Sequence, residues 1–186
     1  DYVLEKHPGG AIVTAVSSSQ AVEIVAKKRN AMVFRTRVGS VDVSRTIIER
    51  RAVFGFEENG GCMYTPHIPV RDGGMTTALM LECLASRGMA FSRALAFSVP
   101  RFFQAKTKIE VDRKKVDSVM RAVARQAKGE IDRIDGVKAW ADEHSWVLAR
   151  PSGTEPLIRV FAESDSQERA DLLVKKFVKI VKTASA

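Results

Sequence analysis

The sequence predicts two domains of different class, an α/β domain with a mostly parallel sheet followed by an α+β domain with an antiparallel sheet. Two observations carry this. Up to about residue 100, short β-branched runs alternate with helical patterns, whereas beyond Ala105 one strand and one helix are followed by several strands in succession and a closing helix. In addition, 186 residues with 45% apolar composition can form two small hydrophobic cores. The expected division is 1–103 and 104–186.

Asp1 to Lys6 looks like the tail of a helix, so the chain is expected to be cut from something longer. Ala11-Ile12-Val13-Thr14-Ala15-Val16 reads as a strand. Gln20 to Arg29 reads as a helix with Val22, Val25 and Ala26 on one face. Met32 to Thr36 reads as a second strand, Val41 to Arg50 as a second helix, and Ala52 to Phe56 as a third strand. Such a β-α-β-α-β series implies parallel strands, right-handed crossovers and helices on both faces of the sheet. Cys62 to Val70 reads as a longer loop. Asp72 then caps a helix from Met75 to Ser86, a second short helix spans Phe91 to Phe97, and Pro100 with Phe102-Phe103 marks a linker.

In the second part, Thr107 to Val111 alternates as a strand does, and Lys114 to Lys128 is an amphipathic helix. Ile131 to Ala141 forms one or two strands bent at Asp135-Gly136. Trp146 to Arg150 and Leu157 to Glu163 are two more, with packing as the expected role of Trp140 and Trp146. A last helix from about Gln167 to Lys182 is announced by Ser164 or Asp165 as its cap. The helices of this β-α-β-β-β-α order belong on one face of the sheet.

Net charge is +8, which allows a nucleic acid or an anionic metabolite as partner. Thirteen basic and nine acidic residues precede Ala105, and 17 and 13 follow, so the excess is spread evenly rather than gathered in a tail. Dispersed charge and few exposed-looking aromatics weigh against a nucleic-acid-binding module, for which steeply salt-dependent binding would be the sign. No apolar run approaches a membrane span and no secretory signal opens the chain. Cys62 and Cys83 have neither zinc-ligand spacing nor disulfide density, and His7, His67 and His144 form no local metal pair. A soluble, cytoplasmic protein with free thiols is expected, bound to neither membrane nor nucleic acid, with no metal ligands of its own.

Chemistry concentrates in a few polar segments. Arg150-Pro151-Ser152-Gly153-Thr154-Glu155-Pro156 lies between two strands and offers a guanidinium, two hydroxyls and a glycine, the chemistry of a phosphate cradle. Ser17-Ser18-Ser19, Arg37-Val38-Gly39-Ser40 and Glu57-Glu58-Asn59-Gly60-Gly61 fall after the three strands of the first domain, where parallel sheets bind ligands. Ser19 and Ser40 also suit helix caps.

The R-P-S-G-T-E-P string resembles the phosphate-binding loop of the α-D-phosphohexomutases, which move phosphate between the C1 and C6 oxygens of a hexose. Glu57 to Gly61, followed about ten residues later by Arg71-Asp72-Gly73, looks like that family's sugar-binding loop, and Thr36 to Ser40 resembles its T-x-V-G segment. Over most of its length the chain is similar to the C-terminal half of such an enzyme, domains 3 and 4. The resemblance implies a three-layer α/β/α domain that binds sugar, then a TATA-binding-protein-like domain with two helices that binds phosphate. It also implies a hexose phosphate as ligand, with Arg150, Ser152, Gly153 and Thr154 holding the phosphate that is not transferred. Glu57 and Asn59 would hold the sugar, and Arg37, Gly39 and Ser40 would edge the site.

Departures are Phe56 where glycine is common, Gly61 where many members have histidine, and Leu157 where lysine often stands. With that histidine missing, no general base or other catalytic residue is assigned. The E-E-N-G-G form is familiar from archaeal members acting on mannose and glucose phosphates, with phosphoglucosamine mutase as the alternative. The family's T-A-S-H-N-P phosphoserine loop and D-G-D-x-D-R magnesium loop are absent from the chain. The expectation is therefore an inactive fragment, whose longer parent joins it to N-terminal domains, holds Mg2+ and works through a hexose 1,6-bisphosphate.

Overall fold

The computed structural model describes all residues 1–186, which divide into two compact units at Arg101/Phe102. In the first unit α1 (Tyr2–Lys6) leads into β1 (Ala11–Ala15), α2 (Ala21–Lys28), β2 (Met32–Thr36), α3 (Ser40–Arg50) and β3 (Phe54–Phe56). Every residue of β1 is buried, as expected for the centre of a sheet covered on both sides. β1 pairs in parallel with β2 on one side and β3 on the other. Alternation along β1 divides the core. Ala11 and Val13 face Val43 and Ile47 of α3, while Ile12 packs with Leu4 of α1 and with Val22 and Ala26 of α2.

The segment read as a loop after Gly61 contains a fourth strand, β4 (Cys62–Tyr64), antiparallel to β3, giving the order β2-β1-β3-β4. Three residues are too few to show a period in sequence. Their pairing with Phe54–Phe56 creates the strand. Two helices, α4 (Gly73–Arg87) and α5 (Phe91–Ser98), complete the unit. Asp72 caps α4 as expected, accepting from the Met75 N–H at 2.8 Å. At α3 the N-cap is Gly39, with Ser40 as first helical residue. At α2 the N-cap is Gln20 rather than Ser19, whose hydroxyl nevertheless accepts from the Ala21 N–H at 3.1 Å.

The second unit comprises β5 (Phe103–Glu110), a 3-10 turn (Arg113–Lys115), α6 (Val116–Gln126), β6 (Ile131–Asp132), β7 (Val137–Asp142), β8 (Ser145–Pro151), β9 (Leu157–Ser164) and α7 (Gln167–Ser185). All pairings are antiparallel, in the order β5-β9-β8-β7-β6. Phe103, expected in a linker, instead pairs with Ser164 at the start of β5. One core joins Val147, Ala149, Ile158, Val160 and Ala162 to Val119 and Val123 of α6 and Val174, Phe177 and Val181 of α7.

The cap of α7 is Ser166, which accepts from Arg169 N–H at 3.3 Å, and not Ser164 or Asp165. Ser164 is still paired in β9, and its hydroxyl meets that of Ser145. On the other sheet face Trp146 and Trp140 do more than pack. The buried Lys138 places its Nζ 4.0 Å from the Trp146 ring centre and 4.9 Å from that of Trp140, and Trp146 Nε1 donates to the fully buried Glu163 at 3.1 Å.

Candidate functional site

Two clusters of unspent polar groups stand out, one in each unit. In the first unit β1, β2 and β3 run parallel, so the loops after them gather at one end of the sheet. With strands roughly 4.8 Å apart, the turn after β3 and the loop after β2 lie about 10 Å apart, separated by the loop after β1. Arg35 pins that middle loop, donating to the carbonyls of Ala15, Ser18 and Ser19 and to Glu23. Thr14 ties it to β3, its hydroxyl lying 2.7 Å from both the Phe56 carbonyl oxygen and the Ser18 hydroxyl. Ser17 Oγ is buried beside them without a partner.

Residues 57–61 form the β3–β4 turn. Glu57 N–H donates to the Gly61 carbonyl at 3.0 Å and Gly60 N–H returns to the Glu57 carbonyl at 3.1 Å, with Gly60 at φ +90°, where a side chain would be strained. Asn59 Oδ1 accepts from the Gly61 N–H at 3.2 Å, which leaves its NH2 group free to donate to a ligand. The Glu57 carboxylate is 6% exposed, and its one ionic partner is Arg71, Nη1 to Oε2 at 3.5 Å. A buried carboxylate with several open acceptor positions is costly unless something else bonds to it.

Of the site-edge residues, Gly39 has φ +148° and its carbonyl accepts from the Val43 N–H at 3.1 Å. Arg37 is exposed and Ser40 half-buried. Behind the turn, Asp72 is held below the usual carboxylate range by the Met75 N–H first and His67 second, and burial pushes the Cys62 thiol up.

In the second unit the Arg150–Pro156 turn joins β8 to β9. Ser152 N–H donates to the Leu157 carbonyl at 2.9 Å, Glu155 N–H to Ser152 Oγ at 3.3 Å, and Arg113 Nη2 to the Thr154 carbonyl at 3.2 Å. The exposed N–H groups of Gly153 and Thr154 and the Thr154 hydroxyl engage nothing within the chain. Arg150 hydrogen-bonds only through Nε, to Asp135 Oδ2 at 2.8 Å, which fixes the guanidinium and leaves both Nη groups open. Gly136 makes this contact possible, since a Cβ there would lie 2.3 Å from the Ala149 carbonyl oxygen.

Register adds what the motif did not. Arg159 stands directly opposite Arg150 and Lys108 opposite Arg159, so three cations share one row on one face, an arrangement that costs stability without anions. Arg159 is balanced by Glu155 at 2.6 Å. Asp135, Arg113 and Arg159 were missed as site residues in the sequence, and Arg71, quoted there in the Arg71-Asp72-Gly73 segment, was given no role. For Arg159 a signal existed, because a symmetric turn between the two strands sets it across from Arg150. The other three are tied to their partners by folding alone. No three His, Cys, Asp or Glu side chains converge to hold a metal ion.

A parallel-sheet unit with a recessed carboxylate turn is followed by an antiparallel unit with an open arginine loop. The chain belongs to the phosphoglucomutase/phosphomannomutase family. Residues 1–102 match its alpha/beta/alpha domain III and residues 107–180 its C-terminal domain. Relatives include a phosphoglucomutase/phosphomannomutase of Thermococcus kodakarensis, 39% identical over 99% of this chain and 40% of the relative. A phosphoglucosamine/phosphogalactosamine mutase of Sulfurisphaera tokodaii is 42% identical over 91% of this chain and 38% of its own length. The chain thus spans about two fifths of these proteins.

Solved structures share the fold. A phosphoglucomutase/phosphomannomutase family protein of Burkholderia thailandensis superimposes with a TM-score of 0.79 at 22% identity, over 98% of this chain and 39% of that one. An Aspergillus fumigatus N-acetylphosphoglucosamine mutase, solved with GlcNAc-6P and magnesium, gives 0.67 at 19%, over 96% and 39%.

Proposed function

We propose that this chain is the substrate-recognition half of a phosphohexomutase that interconverts hexose 1-phosphates and 6-phosphates. The observation that carries it is the pair of unspent sites: the recessed Glu57 carboxylate with acceptor positions to spare, and the Arg150 loop with free guanidinium, amide and hydroxyl donors. In this reading both Nη groups of Arg150, the N–H groups of Gly153 and Thr154 and the Ser152 and Thr154 hydroxyls hold the phosphate that stays in place. Arg159 supplies a second cation beside Arg150. Glu57 accepts from ring hydroxyls, and the Asn59 NH2 donates to one. Arg37, Gly39 and Ser40 edge the sugar.

Positioning of this kind supplies much of the work in phosphoryl transfer. The phosphoryl donor and the Mg2+ that would neutralise developing charge belong to the missing N-terminal domains, so the chain alone is inactive. With those domains, at the length of the relatives, it isomerises hexose phosphates through a 1,6-bisphosphate, as a cytoplasmic enzyme. The test is conversion of mannose 1-phosphate and glucose 1-phosphate by that full-length polypeptide beside Arg150→Ala and Glu57→Gln. Both variants should lose at least about tenfold in kcat/KM, as expected for charged hydrogen-bonding groups. Unchanged turnover would remove the assigned roles.

The Sulfurisphaera relative favours a second substrate, an aminosugar phosphate, since Glu57 would equally accept from an ammonium group. Competition between glucosamine and glucose phosphates decides between them.

A further inference from the structure

Gly61 does not need to be glycine for its backbone. Its φ lies outside the left-handed region, so an L residue would sit there unstrained. What forbids a side chain is Arg71: a Cβ at Gly61 would lie 2.2 Å from Arg71 Cδ and 3.1 Å from its Cγ. The Arg71 side chain therefore lies across the bare glycine, and its Nη1 reaches Glu57 Oε2 at 3.5 Å.

The backbone around Arg71 is fixed. The N–H of Asp72 donates to the Cys62 carbonyl at 3.1 Å, Asp72 Oδ1 caps α4 through Met75, and the Thr76 N–H returns to the Asp72 carbonyl at 3.1 Å. A Cβ at Gly61 would consequently displace the flexible Arg71 side chain rather than the main chain. Arg71 makes no hydrogen bond within the chain, and about half of its side chain is exposed. Neither packing nor a structural network accounts for its course. The buried carboxylate does, since a buried charge needs a counter-charge.

We propose that Arg71 is a positioning residue for Glu57 and that Gly61 is the residue that admits it. Resting on the sugar-binding reading of Glu57, the proposal assigns Arg71 the task of holding the carboxylate ionised and oriented toward the ring hydroxyls. The guanidinium lies on one side of the carboxylate and leaves the remaining lone pairs for ligand. Because a guanidinium stays charged at any working pH, this turn carries a permanent cation where a histidine at position 61 would carry a titrating one. The two arrangements exclude each other, since any side chain at position 61 takes the space that Arg71 uses.

The experiment compares Glu57→Gln, Arg71→Ala, Arg71→Lys, Gly61→Ala and the double variant Gly61→Ala/Arg71→Ala in the full-length polypeptide. It reads kcat and KM for a hexose 1-phosphate, inhibition by inorganic phosphate, and the melting temperature. Arg71→Ala should raise KM about tenfold with phosphate inhibition unchanged and should lower the melting temperature by leaving the Glu57 charge without its counter-charge, and Arg71→Lys should recover most of both losses. Gly61→Ala should reproduce Arg71→Ala although it removes no polar group, and adding it to Arg71→Ala should cost nothing more. An impaired Glu57→Gln beside a normal Arg71→Ala, or losses at Gly61 and Arg71 that multiply, overturn the proposal alone. A normal Glu57→Gln overturns the sugar role of Glu57 and the proposal together.

Discussion

Gly136→Ala tests how the phosphate loop is held. Gly136 sits at φ +90° in the turn between β6 and β7, and an L residue in that region costs about 1–2 kcal/mol. Its Cβ would fall 2.3 Å from the Ala149 carbonyl oxygen and 2.8 Å from Arg150 Cα, both main-chain atoms that cannot rotate away. Restoring 3.0 Å requires the strands to part by at least about 0.7 Å where Val137 pairs with Ala149. Losing one ladder hydrogen bond adds about 1 kcal/mol. The expected destabilisation is about 3 kcal/mol, a fall of roughly 15 °C for a unit of this size.

Both tryptophans, Trp140 and Trp146, belong to the second unit, so fluorescence-detected urea unfolding reports on that unit selectively. Gly153→Ala is the control. A Cβ there meets nothing within 4 Å and the φ is ordinary, so stability should stay within about 0.5 kcal/mol. A tryptophan transition unmoved by Gly136→Ala, or moved equally by Gly153→Ala, would refute the packing argument. Since Asp135 precedes Gly136 and grips Arg150, Gly136→Ala should also weaken phosphate binding in the variant that remains folded.

Trp146→Phe should cost about 2 kcal/mol in urea unfolding, because it removes the indole N–H that donates to the fully buried Glu163 carboxylate. Ser166→Ala should cost about 1 kcal/mol by uncapping α7, read in the same experiment. Asp72 has a folded pKa below its ordinary 3.8, so its contribution to stability is present above that value and lost as pH falls through the lowered one. Asp72→Asn should lower the melting temperature at pH 7 and flatten its fall as the pH drops below the ordinary 3.8, measured by circular dichroism.

Local chemistry made most of the fold legible in the sequence. β-branched runs at Ala11–Ala15 and Met32–Thr36, each followed by an amphipathic stretch, fix a parallel sheet because only a crossover helix can join such strands. What escaped was set by tertiary pairing. β4 is too short to carry a period, and Phe103 is a strand residue only because Ser164 lies opposite. Ser166 lost its cap assignment to the equally suitable neighbours Ser164 and Asp165, which strand pairing decided.

The candidate site divides the same way. Arg150, Ser152, Gly153 and Thr154 stand in one contiguous string, and Glu57 with Asn59 in another, and it is the resemblance of each whole string to a family loop that exposes them. Their supports lie elsewhere. Asp135 comes fifteen residues before Arg150, and Arg71 fourteen after Glu57, and neither pair has a sequence spacing that implies contact.

In the proposed function the Arg150 loop binds the phosphate of a sugar phosphate. The most direct measurement is an NMR titration of the isotope-labelled 186-residue chain with inorganic phosphate and then with glucose 1-phosphate, in wild type and Arg150→Ala. Saturable amide shifts gathered at Ser152, Gly153, Thr154 and Glu155, absent from Arg150→Ala, are the predicted result. Shifts scattered over the lysines of α7, or equal binding by Arg150→Ala, would contradict it.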